Sequence, residues 1–111
     1  MDIKSVIAYR IDDTINVLVL ADLPRPCDYA RIYGTYPGNI YHVADPGKAE
    51  VFIEFYESPE SCSTVIQPWL SSVQIKDTAY NEVDVFVDGE SVMSVPIFNY
   101  SMPQPTTFYL R

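Results

Sequence analysis

A small all-β fold, mainly antiparallel and built as a sandwich or barrel of about seven strands with one or two short helices, is what this sequence predicts. Apolar residues recur with period two in several separate stretches, and turn-forming residues separate those stretches. The crossover helices that a parallel sheet requires are missing from the pattern. A small α+β fold is the alternative, reached if either short helical stretch extends further than its flanking residues suggest.

In order along the chain, Ile3, Ser5, Ile7, Tyr9 and Ile11 share one side of the first strand, opposite Lys4, Val6, Ala8 and Arg10. The stretch Ile15 to Leu20 is apolar on both sides apart from Asn16, the pattern of a central strand covered on both faces. Two short helical stretches come next in the reading. One begins at Pro26, carries Tyr29, Ile32 and Tyr33 on one face and stops at Gly34; the other begins at Ser58–Pro59–Glu60 and is limited by Pro68. Between them, Ala49, Val51, Ile53 and Phe55 alternate with Glu50, Phe52, Glu54 and Tyr56, which predicts a half-buried strand. Val83, Val85 and Val87 repeat that arrangement against Glu82, Asp84 and Phe86. Asp88–Gly89 then favours a type I′ hairpin turn, with the chain returning from Val92 to Ile97. Pro96 has no N–H to give a ladder, so its strand is expected at an edge or a bulge. After a turn-rich run holding Pro103 and Pro105, Phe108, Tyr109 and Leu110 read as a last strand.

A chain of 111 residues fits one domain, 1–111, with a single core. Its 48% hydrophobic and 20% charged residues set it apart from disordered chains. The first residues alternate apolar and polar instead of forming a signal peptide, and no apolar run approaches the length of a membrane span. The expectation is a soluble, cytoplasmic protein with no membrane contact. In that setting Cys27 and Cys62 are expected to be reduced and partly buried, a disulfide between them being the alternative.

Charge is concentrated in one part of the chain. Of the net −8, residues 1–49 carry six acids and five bases, whereas residues 50–90 carry nine acids and only Lys76. Within that acidic part, the sides Glu50, Phe52, Glu54, Tyr56 and Glu82, Asp84, Phe86, Asp88 interleave carboxylates with aromatic rings. If the two strands share a sheet, these sides form an acidic surface with aromatic anchors, suited to a basic protein partner. With seven Lys and Arg in all, the chain is poorly equipped to neutralise phosphates, which excludes direct nucleic-acid binding from the expected functions. A second candidate surface is the tyrosine-rich segment with Tyr29, Tyr33, Tyr36 and Tyr41 beside Gly34, Pro37, Gly38 and Asn39, a composition common in binding loops.

Motifs for chemistry are sparse. His42 is the single histidine, and a Cys27, His42, Asp45 trio has no flanking nucleophile motif. The Asp-x-Asp-x-Asp-Gly spacing of a calcium loop and the glycine-rich loop of a phosphate site are absent from the sequence. No catalytic, cofactor or metal residue is assigned, and no cofactor is expected. The sequence therefore predicts a small acidic, non-enzymatic interaction module of the inhibitor, immunity or anti-defence type. It would bind a basic protein through the acidic-aromatic side, the tyrosine-rich loop, or both. The alternative is a homo-oligomeric structural subunit, such as a virion or scaffold component.

Overall fold

The computed structural model of the chain describes residues 1–39, 47–77 and 79–99. Within them the chain is all-β, as the period-two pattern predicts. Seven strands follow one another: β1 (Asp2–Ile11), β2 (Thr14–Leu23), β3 (Tyr29–Tyr36), β4 (Ala49–Tyr56), β5 (Gln67–Lys76), β6 (Glu82–Val87) and β7 (Glu90–Asn99). They form one sheet in the order β3-β4-β6-β7-β1-β2-β5. The pairings β1–β2, β2–β5, β3–β4 and β6–β7 are antiparallel, and β4–β6 and β1–β7 are parallel. The edge strands β3 and β5 curl toward each other, and the Trp69 indole on β5 donates to the Ala30 carbonyl on β3 at 3.1 Å. The sheet thus nearly closes into a barrel.

The interior is filled by small and β-branched side chains, which suit a tightly curved, pleated surface. Val6 and Ala8 of β1, Ile15, Val17 and Val19 of β2, Ala49, Val51 and Ile53 of β4, Ile75 of β5, Val83 and Val85 of β6, and Ile97 of β7 form one buried cluster. Asp88 and Gly89 both adopt positive φ, 50° and 85°, as the expected hairpin turn requires. Asp12 also adopts positive φ, 57°, where β1 turns into β2.

Pro96 lies neither in an edge strand nor at the bulge. β7 pairs with β6 from Glu90 to Pro96 and with β1 from Ile97 to Asn99, so Pro96 sits where the strand changes partner. Its missing N–H costs least at such a hand-over, and the next amide, Ile97 N–H, donates to the Asn81 carbonyl at 2.8 Å. The irregularity in β7 lies earlier, between the pairs Val85–Met93 and Phe86–Ser91.

Several expectations are corrected by the structure. Neither helical stretch forms a helix: residues 29–36 are β3, and residues 57–66 run without regular structure. β3 has a register shift between Ile32 and Gly34, so Tyr33 is an extra residue; Ile32 packs on the core while Tyr29 and Tyr33 are exposed, so the three do not share a face. A bulge in β1, between Ile3 and Ser5, inverts the sides of that strand. Beyond Lys4 it is Val6 and Ala8 that enter the core, while Ile7 is 52% and Ile11 37% exposed. β5 was not among the expected strands; its outward row Leu70, Ser72, Gln74 is exposed, against the more buried Trp69, Ser71, Val73 and Ile75. The expected last strand, Phe108–Leu110, lies outside the described residues.

The cysteines are also corrected, since Cys27 and Cys62 form a disulfide with their Cα atoms 6.4 Å apart. The surrounding chain brings them together. Asp28, whose side chain is fully buried, takes a two-pronged ion pair from Arg25, with Nη2–Oδ1 at 2.7 Å and Nε–Oδ2 at 3.2 Å. Arg25 also donates to the carbonyls of Ser58 and Glu60, and Ser58 N–H donates to Asp28 Oδ1. These bonds fasten the β2–β3 connection to the β4–β5 connection, and the disulfide adds a covalent tie. Hydrogen bonding from Arg25 holds the Asp28 carboxyl below the ordinary aspartate range, against the opposing effect of burial.

At the far end of β1, Arg10 plays a similar part. It pairs with Asp77 at 3.4 Å, donates to the Tyr80 carbonyl, and reaches Asn99 Oδ1 at 2.7 Å. Asp77 in turn accepts from the amides of Ala79 and Tyr80. One guanidinium thereby connects the ends of β1 and β7 to the β5–β6 loop.

Candidate functional site

Because β4 and β6 are parallel neighbours, the acidic-aromatic residues do come together. Glu50 lies opposite Asp84, and Phe52 lies opposite Phe86, all four on the outer side of the sheet. Tyr36 of β3 continues the first row and Gly34 the second. The Phe52 and Phe86 rings stack with centroids 5.1 Å apart, and Tyr33 lies 6.2 Å from Phe52 on the other side. Cross-strand aromatic pairs of this kind stabilise neighbouring strands.

These four residues do not form the solvent-facing surface that the alternation suggests. Glu50 is fully buried, and Phe52, Asp84 and Phe86 are 6%, 6% and 7% exposed. Asp84 Oδ1 accepts the Ser91 hydroxyl at 2.5 Å, which satisfies one of its oxygens within the sheet. A hydrogen bond with Tyr36, followed by burial, holds the Tyr80 hydroxyl above the usual tyrosine range. The Tyr36 and Tyr80 rings meet edge to face at 6.2 Å. From Ala49 to Ile53 every residue of β4 is buried, so β4 is not the half-buried strand its sequence suggests.

The remaining candidates sit at the margins of that region. Glu54 is part-exposed and held by Arg31 through Nε–Oε1 at 3.1 Å and Nη2–Oε2 at 3.3 Å. Tyr29 and Tyr56 are about half exposed and touch each other, with ring centroids 5.1 Å apart. Glu82 meets Lys48 at 3.6 Å and accepts from Ser94. Asp88 extends the β4–β6 ladder past Val87: its N–H donates to the Ile53 carbonyl and its Oδ1 accepts from Phe55 N–H. In the tyrosine-rich segment, Asn39 binds back to β3 through Thr35 N–H and the Tyr33 carbonyl. Gly38 is required there, because at φ 153° a Cβ would press on the Thr35 carbonyl oxygen at 2.9 Å. Tyr41, His42 and Asp45 lie outside the described residues. Cys27, bound to Cys62, is not a free thiol.

The surface that sequence reasoning missed is the outer side of β1, β2 and β5 with the end of β7. Ile7 faces Leu18, Leu20 faces Leu70, and Tyr9 faces Phe98. Ile7 is 52%, Leu20 42%, Leu70 66% and Phe98 64% exposed. Polar but uncharged residues lie among them: Ser5 opposite Leu20, Ser72 opposite Leu18, and Asn16 linked to Gln74 at 3.0 Å. The double-sided apolar pattern of β2 was a sufficient signal for this surface, because Leu18 and Leu20 point away from the core whether or not anything covers them. β2 is not the central strand its pattern suggests: it lies next to the edge strand β5 and is covered on one side only.

Among the described residues, no group of three or more His, Cys, Asp or Glu is arranged to hold a metal ion, and no helix is long and apolar enough to cross a membrane. A hollow of about 510 Å³ between the start of β1 and the β6–β7 turn is lined by Met1, Ile3, Asp88, Glu90 and Val92 among others; it sets carboxylates beside apolar groups. Comparison with family models, with curated proteins and with solved structures finds no match for this chain.

Proposed function

We propose that the protein is a non-enzymatic interaction module whose contact surface is the outer side of β1, β2 and β5. The observation that supports this reading is the continuous apolar surface formed by Ile7, Leu18, Leu20, Leu70 and Phe98, held in register by the pairing of four strands. Scattered exposed apolar residues are ordinary, but a contiguous set on a rigid sheet marks a protein contact. The outward residues in its middle are uncharged, while among the acids of residues 50–90 Glu50 and Asp84 are buried and Glu54 and Glu82 are engaged with neighbours. Apolar contact therefore carries the binding, and the acidic remainder keeps other surfaces apart.

A pull-down from the native source, washed at low and then high salt, tests this with wild-type protein and a Leu20→Lys/Leu70→Lys variant. A partner held at high salt by the wild type and lost at least tenfold by the variant supports the apolar surface. Binding that salt releases, and that the variant retains, would return the reading to the acidic-aromatic residues left exposed: Tyr29, Tyr33, Glu54, Tyr56 and Glu82.

A further inference from the structure

We infer that the opening between the first halves of β1 and β7 takes up an extended, basic strand of another protein, which adds to the sheet and sets its Lys or Arg side chains against Asp2, Asp88 and Glu90. This opening is apart from the apolar outer side of β1, β2 and β5, so either can bind without the other.

The sheet is split at this point. β1 and β7 pair only through Ala8–Ile97, Tyr9–Phe98 and Arg10–Asn99. Before Ala8, β1 pairs with β2 alone; before Ile97, β7 pairs with β6 alone. Two lengths of strand edge therefore face each other without a shared ladder, and such edges are templates for a further strand. Bulges account for the divergence. In β1 the extra residue is Lys4, between Ile3 and Ser5; in β7 it is Val92, since Ser91 pairs with Phe86 and Met93 with Val85. In the register that joins Ala8 to Ile97, Lys4 falls opposite Met93, so the two bulges stand at almost the same level. A bulge bends its strand and interrupts pairing, and two at one level part the strands.

What lines the opening selects the chemistry of the strand. The hollow of about 510 Å³ described above lies here; Ile3 and Val87 pack on the core cluster beneath it, while Asp2, Asp88 and Glu90 are exposed around it. No Lys or Arg lines it. Lys4, bound to Asp2 at 3.0 Å and near Asp22 at 3.8 Å, lines a separate hollow on the β2 side. Among the described residues Asp88 and Glu90 are in no ion pair. Successive side chains of a strand point to opposite sides, so an alternating apolar and basic sequence fits: apolar groups over Ile3 and Val87, cations toward the three carboxylates. A second copy of this chain, with net charge −8, is opposed by the same carboxylates.

The size agrees. An extended residue fills about 160 Å³, from its rise, the spacing of strands and the spacing of sheets, so the hollow takes about three of them.

Titration calorimetry of the full chain at low salt, with a short peptide alternating lysine and valine, tests the inference alongside amide hydrogen exchange read by NMR. The peptide is expected to bind and to slow exchange at residues 3–5 and 91–93. Glu90→Lys, at an exposed position and with the circular dichroism of the wild type, is expected to weaken binding about fivefold or more. The same peptide N-methylated at each amide keeps its charge and side chains but has no N–H for a ladder; it is expected to bind about fivefold more weakly or worse. A peptide alternating glutamate and valine is expected not to bind. Failure of the lysine–valine peptide to bind overturns the inference, as does equal binding of the N-methylated peptide or of the glutamate peptide. Binding that leaves exchange at residues 3–5 and 91–93 unchanged lies elsewhere and also overturns it. So does slow exchange at those residues in the free protein, which would show the opening already filled, by a second copy if the slowing grows with concentration.

Discussion

β2 and β4 trade places relative to what their sequences suggest. β2, apolar on both sides, is buried on one; β4, which alternates cleanly between apolar and polar, is buried at every position from Ala49 to Ile53. The difference lies in the neighbours. β4 sits beside β6, whose Phe86 stacks on Phe52, and beside β3, whose Tyr33 reaches the same ring. β2 sits between β1 and β5, where Leu18 has Ile7 on one side but only Ser72 on the other, and Leu20 has Leu70 on one side but only Ser5 on the other, so neither is flanked by large side chains on both sides. Burial of a strand's outer side is thus decided by the side chains on adjacent strands, and a single strand's alternation does not report it.

This contrast can be broken most directly at Phe86. Replacing it with alanine should cost about 4 kcal/mol in urea denaturation, because the ring is buried and stacked. A cost below about 1 kcal/mol, the range of an exposed site, would show that the two outer sides are alike after all. Next in size is the tie between the β2–β3 and β4–β5 connections. Cys27 and Cys62 are 35 residues apart, and reducing their bond, or replacing both with serine, should cost about 3 to 4 kcal/mol. Equal urea midpoints with and without reductant would mean that the Arg25–Asp28 bonds suffice on their own.

Acid sharpens the same point. Asp28 has a carboxyl pKa lowered from 3.8, so its contribution is present above that value and is lost as the pH falls through the lower folded value. The wild type should lose stability steeply below about pH 4, and Asp28→Asn should flatten that part of the curve. An unchanged acid limb in the variant would detach Asp28 from acid unfolding. The smallest effect closes the contrast with Phe86: Phe98→Ala, at a ring 64% exposed on the other outer side, should change stability by no more than about 0.5 kcal/mol.

The strand class and much of the core were legible because period two survives wherever a strand is regular, as in Val83, Val85 and Val87. What escaped reading were the bulges. At Lys4 one extra residue exchanges the sides of β1, and at Tyr33 another interrupts the alternation of β3; neither leaves a mark in composition. β5 was hidden by Pro68 and its serines, which read as loop until Trp69, Val73 and Ile75 are seen to share a side. For the candidate surfaces, the grouping of Glu50, Phe52, Asp84 and Phe86 was legible from matched alternation in two strands. Their burial was not, since it depends on β3 and β7.

The partner change of β7 at Pro96 bears on how the chain reaches this state. Residues 8–10 must find residues 97–99, so the N-terminal strand waits for almost the whole described chain before its second neighbour arrives. During synthesis the β1–β2 hairpin emerges first, with Val6, Val17 and Val19 as bare as Ile7 and Leu20, and no local pairing can cover both sides. Such long-range closure makes folding slow and leaves early intermediates adhesive. The joint that unites the two halves of the sheet is therefore also its contact between distant parts of the sequence, the kind that slows folding.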